Sequence, residues 1–289
     1  MADNTTILVA GATGTNGRMV TSRLAAAGYS VRALVRNLQS AQSLAQSNVE
    51  LVEGDLNDSA TLEPAFENVN RAFIATAATP NTVDLFQNFF DAAKSTTGAH
   101  IVKFSALGAG NNAKSIIQQQ HTESDNALVD SGLPYTILRP NSFYQNMLWS
   151  ANSIRATGQF YFPFGDAEQS LVDVRDLTEV TFQAFTNAEH QGKIYELTGP
   201  EGLSYYDVAQ QLSTLLSKEV TYVPVSNEMA LQGMIDLGMP EWSASALAEL
   251  YSIFATGEYA GINENIQAIT GRPARTFAAW AEEHRSAFS

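Results

Sequence analysis

The stretch Ile7-Leu8-Val9-Ala10-Gly11-Ala12-Thr13-Gly14-Thr15-Asn16-Gly17 decides the fold. Four apolar residues lead into three glycines, and Arg18-Met19-Val20-Thr21-Ser22-Arg23-Leu24 behind them reads as a helix. Strand, glycine turn and helix N-terminus in that order usually hold a dinucleotide pyrophosphate. Free backbone N–H groups and the helix dipole favour an anion there. Glycine has no Cβ, so phosphates can approach the backbone closely. The spacing is Gly-x-x-Gly-x-x-Gly rather than Gly-x-Gly-x-x-Gly. Gly11, Thr13, Gly14, Thr15, Asn16 and Gly17 are therefore candidate cofactor contacts.

Beyond this stretch, short apolar runs alternate with helical patterns. Val31–Val35, Val49–Glu53, Ala72–Ala75, Ile101–Phe104 and Tyr135–Arg139 read as further strands. Leu38–Gln46, Ser59–Phe66, Thr82–Ser95 and Gln118–Ser131 read as helices between them. This alternation predicts an α/β chain: a Rossmann-type doubly wound parallel sheet with a smaller mixed α/β C-terminal substrate domain. Residues 1–150 would form the dinucleotide-binding domain and 151–289 the smaller part, with 171–198 returning to the sheet. In the second half, Leu171–Leu177 reads as a strand-to-helix junction with Asp176 as N-cap. Ser204 with Asp207 has capping-box spacing, and Ser226–Thr256 reads as two helices split at Gly238-Met239-Pro240.

The chain has 289 residues, 45% hydrophobic and 16% charged, enough for a sizeable core. Its net charge of −14 repels nucleic acid and anionic membranes, so neither is an expected partner. Without cysteine there are no disulfides, thiolate nucleophiles or zinc–thiolate sites. No apolar segment reaches the ~18 residues that cross a bilayer. The start, Met1-Ala2-Asp3-Asn4-Thr5-Thr6, lacks the pattern of a secretory leader, and a cytoplasmic location is expected. A monomer or homodimer is expected.

In such a fold the ligand sits at the carboxyl ends of the strands. After the second strand stands Arg36, with no Asp or Glu between Val31 and Asn48. An acidic residue there would hold the ribose hydroxyls of NAD, whereas an arginine pairs with a 2′-phosphate. NADP is the expected cofactor, NADPH being preferred over NADH. Asp55 and Leu56 follow the third strand, placed either to meet the adenine or to make a plain turn. Thr76 and Ala77 follow the fourth and Ser105 the fifth. Pro140, Asn141 and Phe143 follow the sixth and would border the nicotinamide. His121 is the candidate catalytic residue, as a proton donor or a ribose contact. His121, Glu123 and Asp125 spread around a helix, and no metal site is expected. Tyr144, Trp149 and Phe160 belong to an aromatic set that either lines a pocket for a flat substrate or is core.

Several pieces together resemble the NmrA-like group of atypical short-chain dehydrogenase/reductases. They are Gly11–Gly17, Val-Arg-Asn at 35–37, Gly-Asp at 54–55, Ser-Gly-Leu-Pro-Tyr-Thr-Ile-Leu-Arg-Pro at 131–140, Asp-Val-Arg-Asp at 173–176 and Thr-Gly-Arg-Pro-Ala-Arg-Thr-Phe at 270–277. The resemblance runs nearly end to end. It implies that Arg36 holds the 2′-phosphate and that His121 stands where the family often has a lysine. The group includes quinone, triphenylmethane-dye and azo-dye reductases, and redox-sensing regulators that bind NADP without turnover. None of the ten tyrosines has a lysine four residues later, so the Tyr-x-x-x-Lys pair of typical short-chain dehydrogenases is missing. The expected activity is hydride transfer from NADPH to a conjugated aromatic acceptor: a quinone, an azo compound or a triphenylmethane dye. The alternative is a non-catalytic NADP(H)-sensing protein that binds a protein partner.

Overall fold

The computed structural model describes residues 5–289; Met1–Asn4, part of the start that lacks a leader pattern, lie outside the described residues. The elements run β1 (Thr6–Ala10), α1 (Thr15–Ala26), β2 (Ser30–Val35), β3 (Val49–Glu53), α2 (Leu62–Phe66), β4 (Val69–Ile74), α3 (Thr82–Thr96), β5 (His100–Phe104), α4 (Ile116–Asp130) and β6 (Tyr135–Pro140). Then come α5 (Ala151–Thr157), β7 (Gln159–Phe162), α6 (Val174–Thr186), β8 (Lys193–Leu197), α7 (Tyr205–Leu216) and β9 (Thr221–Pro224). The chain closes with α8 (Asn227–Asp236), α9 (Glu241–Phe254), α10 (Asn265–Thr270), α11 (Phe277–Glu283) and α12 (Arg285–Phe288). Two compact units result. One comprises Met1–Asn112, Gln118–Arg139 and Leu177–Tyr195; the other comprises Ala113–Ile117, Pro140–Asp176 and Glu196–Ser289. The chain first passes from one unit to the other after Asn112, and again after Arg139.

Seven strands stand in the order β3-β2-β1-β4-β5-β6-β8. The β1–β2, β1–β4, β2–β3, β4–β5 and β5–β6 pairs are parallel. The chain winds outward one way from β1 and the other way from β4, so the switch point lies between them. Ile7, Leu8, Val9 and Ala10 are all fully buried, as a central strand covered on both faces requires. On α3 the residues Leu85, Phe86, Phe89, Phe90, Ala92 and Ala93 recur with helical period and are all buried. Phe86, Phe89, Phe90, Ala92 and Ala93 share one core with Ile101, Leu128 and Ile137. Each buried Phe there contributes roughly 1.5–3 kcal/mol.

Three local expectations are corrected. Leu38–Gln46 is no α-helix; only Gln42–Leu44 makes a 3₁₀ turn. The Asn37 side chain accepts from Ser40 N, and Ser40 Oγ donates back to Asn37 O. Such local bonds compete with helix initiation. Residues 171–173 make only a bridge, Val172 to Phe143, rather than a strand. Asp176 is not the cap of α6, which begins at Val174. Asp173 takes the Arg175 N–H instead, while Asp176 accepts from Arg275 N and pairs with its guanidinium.

In the second unit β7 pairs with β9, and Phe160, Phe162, Phe164, Tyr205 and Tyr222 pack around them with ring centroids 4.8–6.3 Å apart. Ser204 and Asp207 do form a reciprocal capping box at the start of α7. α8 and α9 part at Gly238, whose φ of +89° suits a residue without Cβ. No helix among the described residues is long and apolar enough to cross a membrane.

Candidate functional site

The loop after β1 is tight because its glycines are obligatory. Gly11 has φ +76°, and a Cβ on it would lie 2.3 Å from Ala75 O at the end of β4. A Cβ on Gly17 would lie 2.1 Å from Gly11 O. The turn therefore folds α1 against β1 and opens the helix start beside the end of β4. Gly14 caps α1 without any side-chain hydrogen bond, and no acidic residue occupies the first turn. The α1 dipole and its free N–H groups are thus available to an anion. Asn16 Oδ1 and Thr76 Oγ1 are buried without a hydrogen-bond partner. Buried polar atoms rarely stay unpaired, and both flank this loop, so the residues present fit a polar ligand such as a dinucleotide. Thr13, Gly14 and Thr15 are exposed at the same place.

Arg36 is exposed at the end of β2, and its charge helps hold the Asp55 carboxyl below the ordinary aspartate value. The larger cause is Asn57, whose backbone and side-chain N–H groups both donate to Asp55 Oδ1 at 2.9 Å. Asp55 thus closes a turn. Leu56 leans on the sheet core. Ala77 is exposed beyond β4. Gln120 on α4 donates to Thr79 O and Pro80 O, which ties that loop to α4.

At the end of β5 lies a charged cluster. Lys103 is fully buried, yet its ammonium donates to Asp125 Oδ1 at 2.7 Å. Asp125 Oδ2 accepts from Ser105 Oγ at 2.9 Å and from Arg139 Nε at 3.0 Å. One buried carboxylate therefore holds two cations. The Lys103 Nζ also stands 4.2 Å above the Phe86 ring. His121, partly exposed and one turn before Asp125 on α4, has Nδ1 3.4 Å from Lys103 Nζ. An ammonium only donates, so Nδ1 accepts and the neutral ring carries its proton on Nε2. Burial, then Lys103, then Arg139 push the His121 value well below that of ordinary histidine. Burial likewise lowers Lys103, against the pull of Asp125.

Sequence reasoning found Ser105 and His121 but missed Lys103, Asp125 and Arg139 as a unit. The signal was a lysine inside the apolar strand Ile101-Val102-Lys103-Phe104, and an aspartate on the His121 face of the helix.

In the second unit, Pro140 is buried and Phe143 half-buried. Asn141 is 2% exposed, and its amide is fully engaged: it donates to Ser170 Oγ and Tyr259 O and accepts from Ser142 N. Its side chain braces the fold rather than presenting a free amide. Two pocket expectations are also corrected. Tyr144 and Phe160 are 0% exposed and belong to the core. Tyr144 packs on Phe277 and Trp280 and donates to Arg275 O; Phe160 packs on Tyr222. Trp149 stands 63% exposed. No His/Cys/Asp/Glu group among the described residues could hold a metal ion.

The NmrA-like family model matches residues 3–278. The chain belongs to the NmrA-like family. This NmrA-like chain is 37% identical to the NAD(P)H azoreductase of Xenophilus azovorans over 282 residues, covering 98% of this chain and 99% of that one. Among solved structures it is similar to an NADPH-dependent quinone oxidoreductase from Escherichia coli complexed with NADPH, with TM-score 0.86 and 27% identity over 96% of this chain and 99% of that one. It is also similar to the Citrobacter sp. triphenylmethane reductase complexed with NADP(H), with TM-score 0.84 and 25% identity over 96% of this chain and 99% of that one.

Proposed function

We propose that this NmrA-like protein is an NADPH-dependent reductase that delivers hydride to a conjugated aromatic acceptor, of the azo, quinone or triphenylmethane type. The reading is supported by the open α1 N-terminus beside the unpartnered Asn16 Oδ1 and Thr76 Oγ1, and by the reductases to which nearly the whole chain aligns. Gly11, Gly14 and Gly17 would cradle the pyrophosphate, with Thr13, Thr15 and Asn16 around it. Arg36 would pair with the 2′-phosphate through its guanidinium fork. Asp55, Leu56, Thr76 and Ala77 line the adenine and ribose path. Ser105 and His121 mark the reacting end, and the backbone of Pro140, Asn141 and Phe143 would border the nicotinamide. When bound, the cofactor supplies a hydride. An acceptor with a delocalised centre takes hydride without the strong acid catalysis a ketone needs, which accords with the missing Tyr-x-x-x-Lys pair.

The test is direct. Purified protein is mixed with NADPH and a panel of azo dyes, quinones and triphenylmethane dyes, and the cofactor absorbance band is followed. Consumption that depends on an acceptor supports the reading. Tight NADPH binding with no turnover on any acceptor refutes it and leaves a sensor.

A further inference from the structure

The fully buried Lys103 has no part in binding as described above, and its placement invites a role. Its ammonium faces two partners: the Asp125 carboxylate at 2.7 Å and the His121 Nδ1 at 3.4 Å. Asp125 is shared with Arg139, so the buried set of Lys103, Arg139 and Asp125 carries one surplus positive charge. His121 Nε2 has no hydrogen-bond partner among the described residues, and the imidazole is partly exposed. The cluster is thus a surplus of charge with one outlet, the Nε2–H of a neutral imidazole.

We propose that Lys103 is the proton reservoir of the site and feeds its reaction through His121. The inference rests on the reductase reading above. Two-electron reduction of an azo or quinone acceptor consumes one hydride, from the cofactor, and one proton; a cationic triphenylmethane dye takes hydride alone and makes no call on the path. As the acceptor becomes anionic, its basic atom takes the His121 Nε2 proton; the N–H bond of the product forms and the Nε2–H bond breaks. At the same moment a Lys103 Nζ–H bond breaks and an Nδ1–H bond forms. The imidazole stays neutral and changes tautomer, and Lys103 becomes a neutral amine. The surplus charge is discharged in the step, which favours transfer out of a buried site. Water then returns a proton along the same path after product leaves. For an oxygen acceptor the same transfer forms O–H instead of N–H.

Lys103 acts through His121 and is a positioning and proton-supplying residue; His121 is the group that touches substrate. The charged groups acting on His121 are Lys103 from β5 and Arg139 from β6, and Asp125 lies one turn along its own helix. From α3 the uncharged Phe86 ring packs against it, 5.9 Å away. At 3.4 Å the Lys103–His121 contact is long, as such contacts often are before a ligand tightens them.

The experiment has two arms. In the first, ¹⁵N-detected NMR of the four histidine rings is recorded on the unaltered protein without cofactor, with His121→Gln for assignment. The expected result is an Nε2–H tautomer at His121 that stays neutral well below the pH where ordinary histidine titrates. In Lys103→Met the titration should move up by one pH unit or more. Met is unbranched, apolar and close to Lys in length, so it fills the same space, and Asp125 retains Arg139 and Ser105 as partners, so the variant should fold. In the second arm, Lys103→Met should lower kcat at least tenfold with KM within twofold, and the deficit should grow as pH rises and solvent protons become scarce. An Nδ1–H tautomer in the unaltered protein overturns the proposal. So does a Lys103→Met variant whose kcat–pH profile matches the parent. The NMR arm holds or fails whether or not any acceptor is turned over, so loss of the reductase reading is distinguishable from loss of this one.

Discussion

Asp125→Asn removes the carboxylate that Lys103 and Arg139 share and leaves the side-chain shape unchanged. At an effective dielectric constant of about 20, unit charges at the observed 2.7 and 3.0 Å attract by about 6 kcal/mol each before desolvation is counted. Breaking a buried pair by removing one partner costs about 3–5 kcal/mol net. At roughly 2–4 °C per kcal/mol, the melting temperature should fall by roughly 6–20 °C. Lys103→Met alone should cost less, since Asp125 keeps Arg139. The double variant should be more stable than Asp125→Asn alone, with a coupling of about 1–3 kcal/mol. The pH dependence has a definite sign. The Lys103 value is lowered in the folded chain, so between it and the ordinary 10.5 the unfolded chain binds more protons. The Lys103 contribution to stability therefore rises with pH across that window, and more so in Asp125→Asn, where the carboxylate no longer supports the ammonium; it is read as the difference from the variants that carry Lys103→Met, because buried tyrosines raised above their ordinary value pull the whole chain the other way. Melting curves of the parent, both single variants and the double variant, at neutral pH and near pH 10, measure all of this. A melting temperature unchanged in Asp125→Asn, or a double variant no better than that single one, would refute the cluster as described.

Three further outcomes are expected. Arg36→Ala should lose a charge-assisted contact of about 1.5–3 kcal/mol, so titration calorimetry should give NADPH binding weaker by about tenfold to a hundredfold, with NADH binding little changed. Equal weakening of both would remove Arg36 from the 2′-phosphate. Gly17→Ala places a Cβ 2.1 Å from Gly11 O and 2.9 Å from Ala12 Cα, backbone atoms that cannot swing away. Cofactor binding should weaken at least tenfold in the same assay, and unaltered affinity would show the loop to be slack. Ser204→Ala breaks the capping box of α7 and should cost about 1 kcal/mol in thermal melting, with cofactor affinity intact.

The glycine loop, the strand–helix alternation and the paired helices around Gly238 were readable because each rests on short-range chemistry. Turn glycines, apolar runs and caps act over a few residues. The Leu38–Gln46 helix failed on the same scale: Asn37 and Ser40 offered the backbone a competing turn. Aromatic content misled more. Tyr144 and Phe160 looked equally suited to a pocket or a core, and only packing partners distinguish the two.

By itself, then, the sequence determined the glycine loop, the order of strands along the chain and the place of Arg36 after the second strand, because those depend on neighbours in the chain. The tertiary structure alone decided the cluster of Lys103, His121, Asp125 and Arg139. Its members come from two strands and a helix, and a buried charge has meaning only through partners that folding brings within about 3 Å.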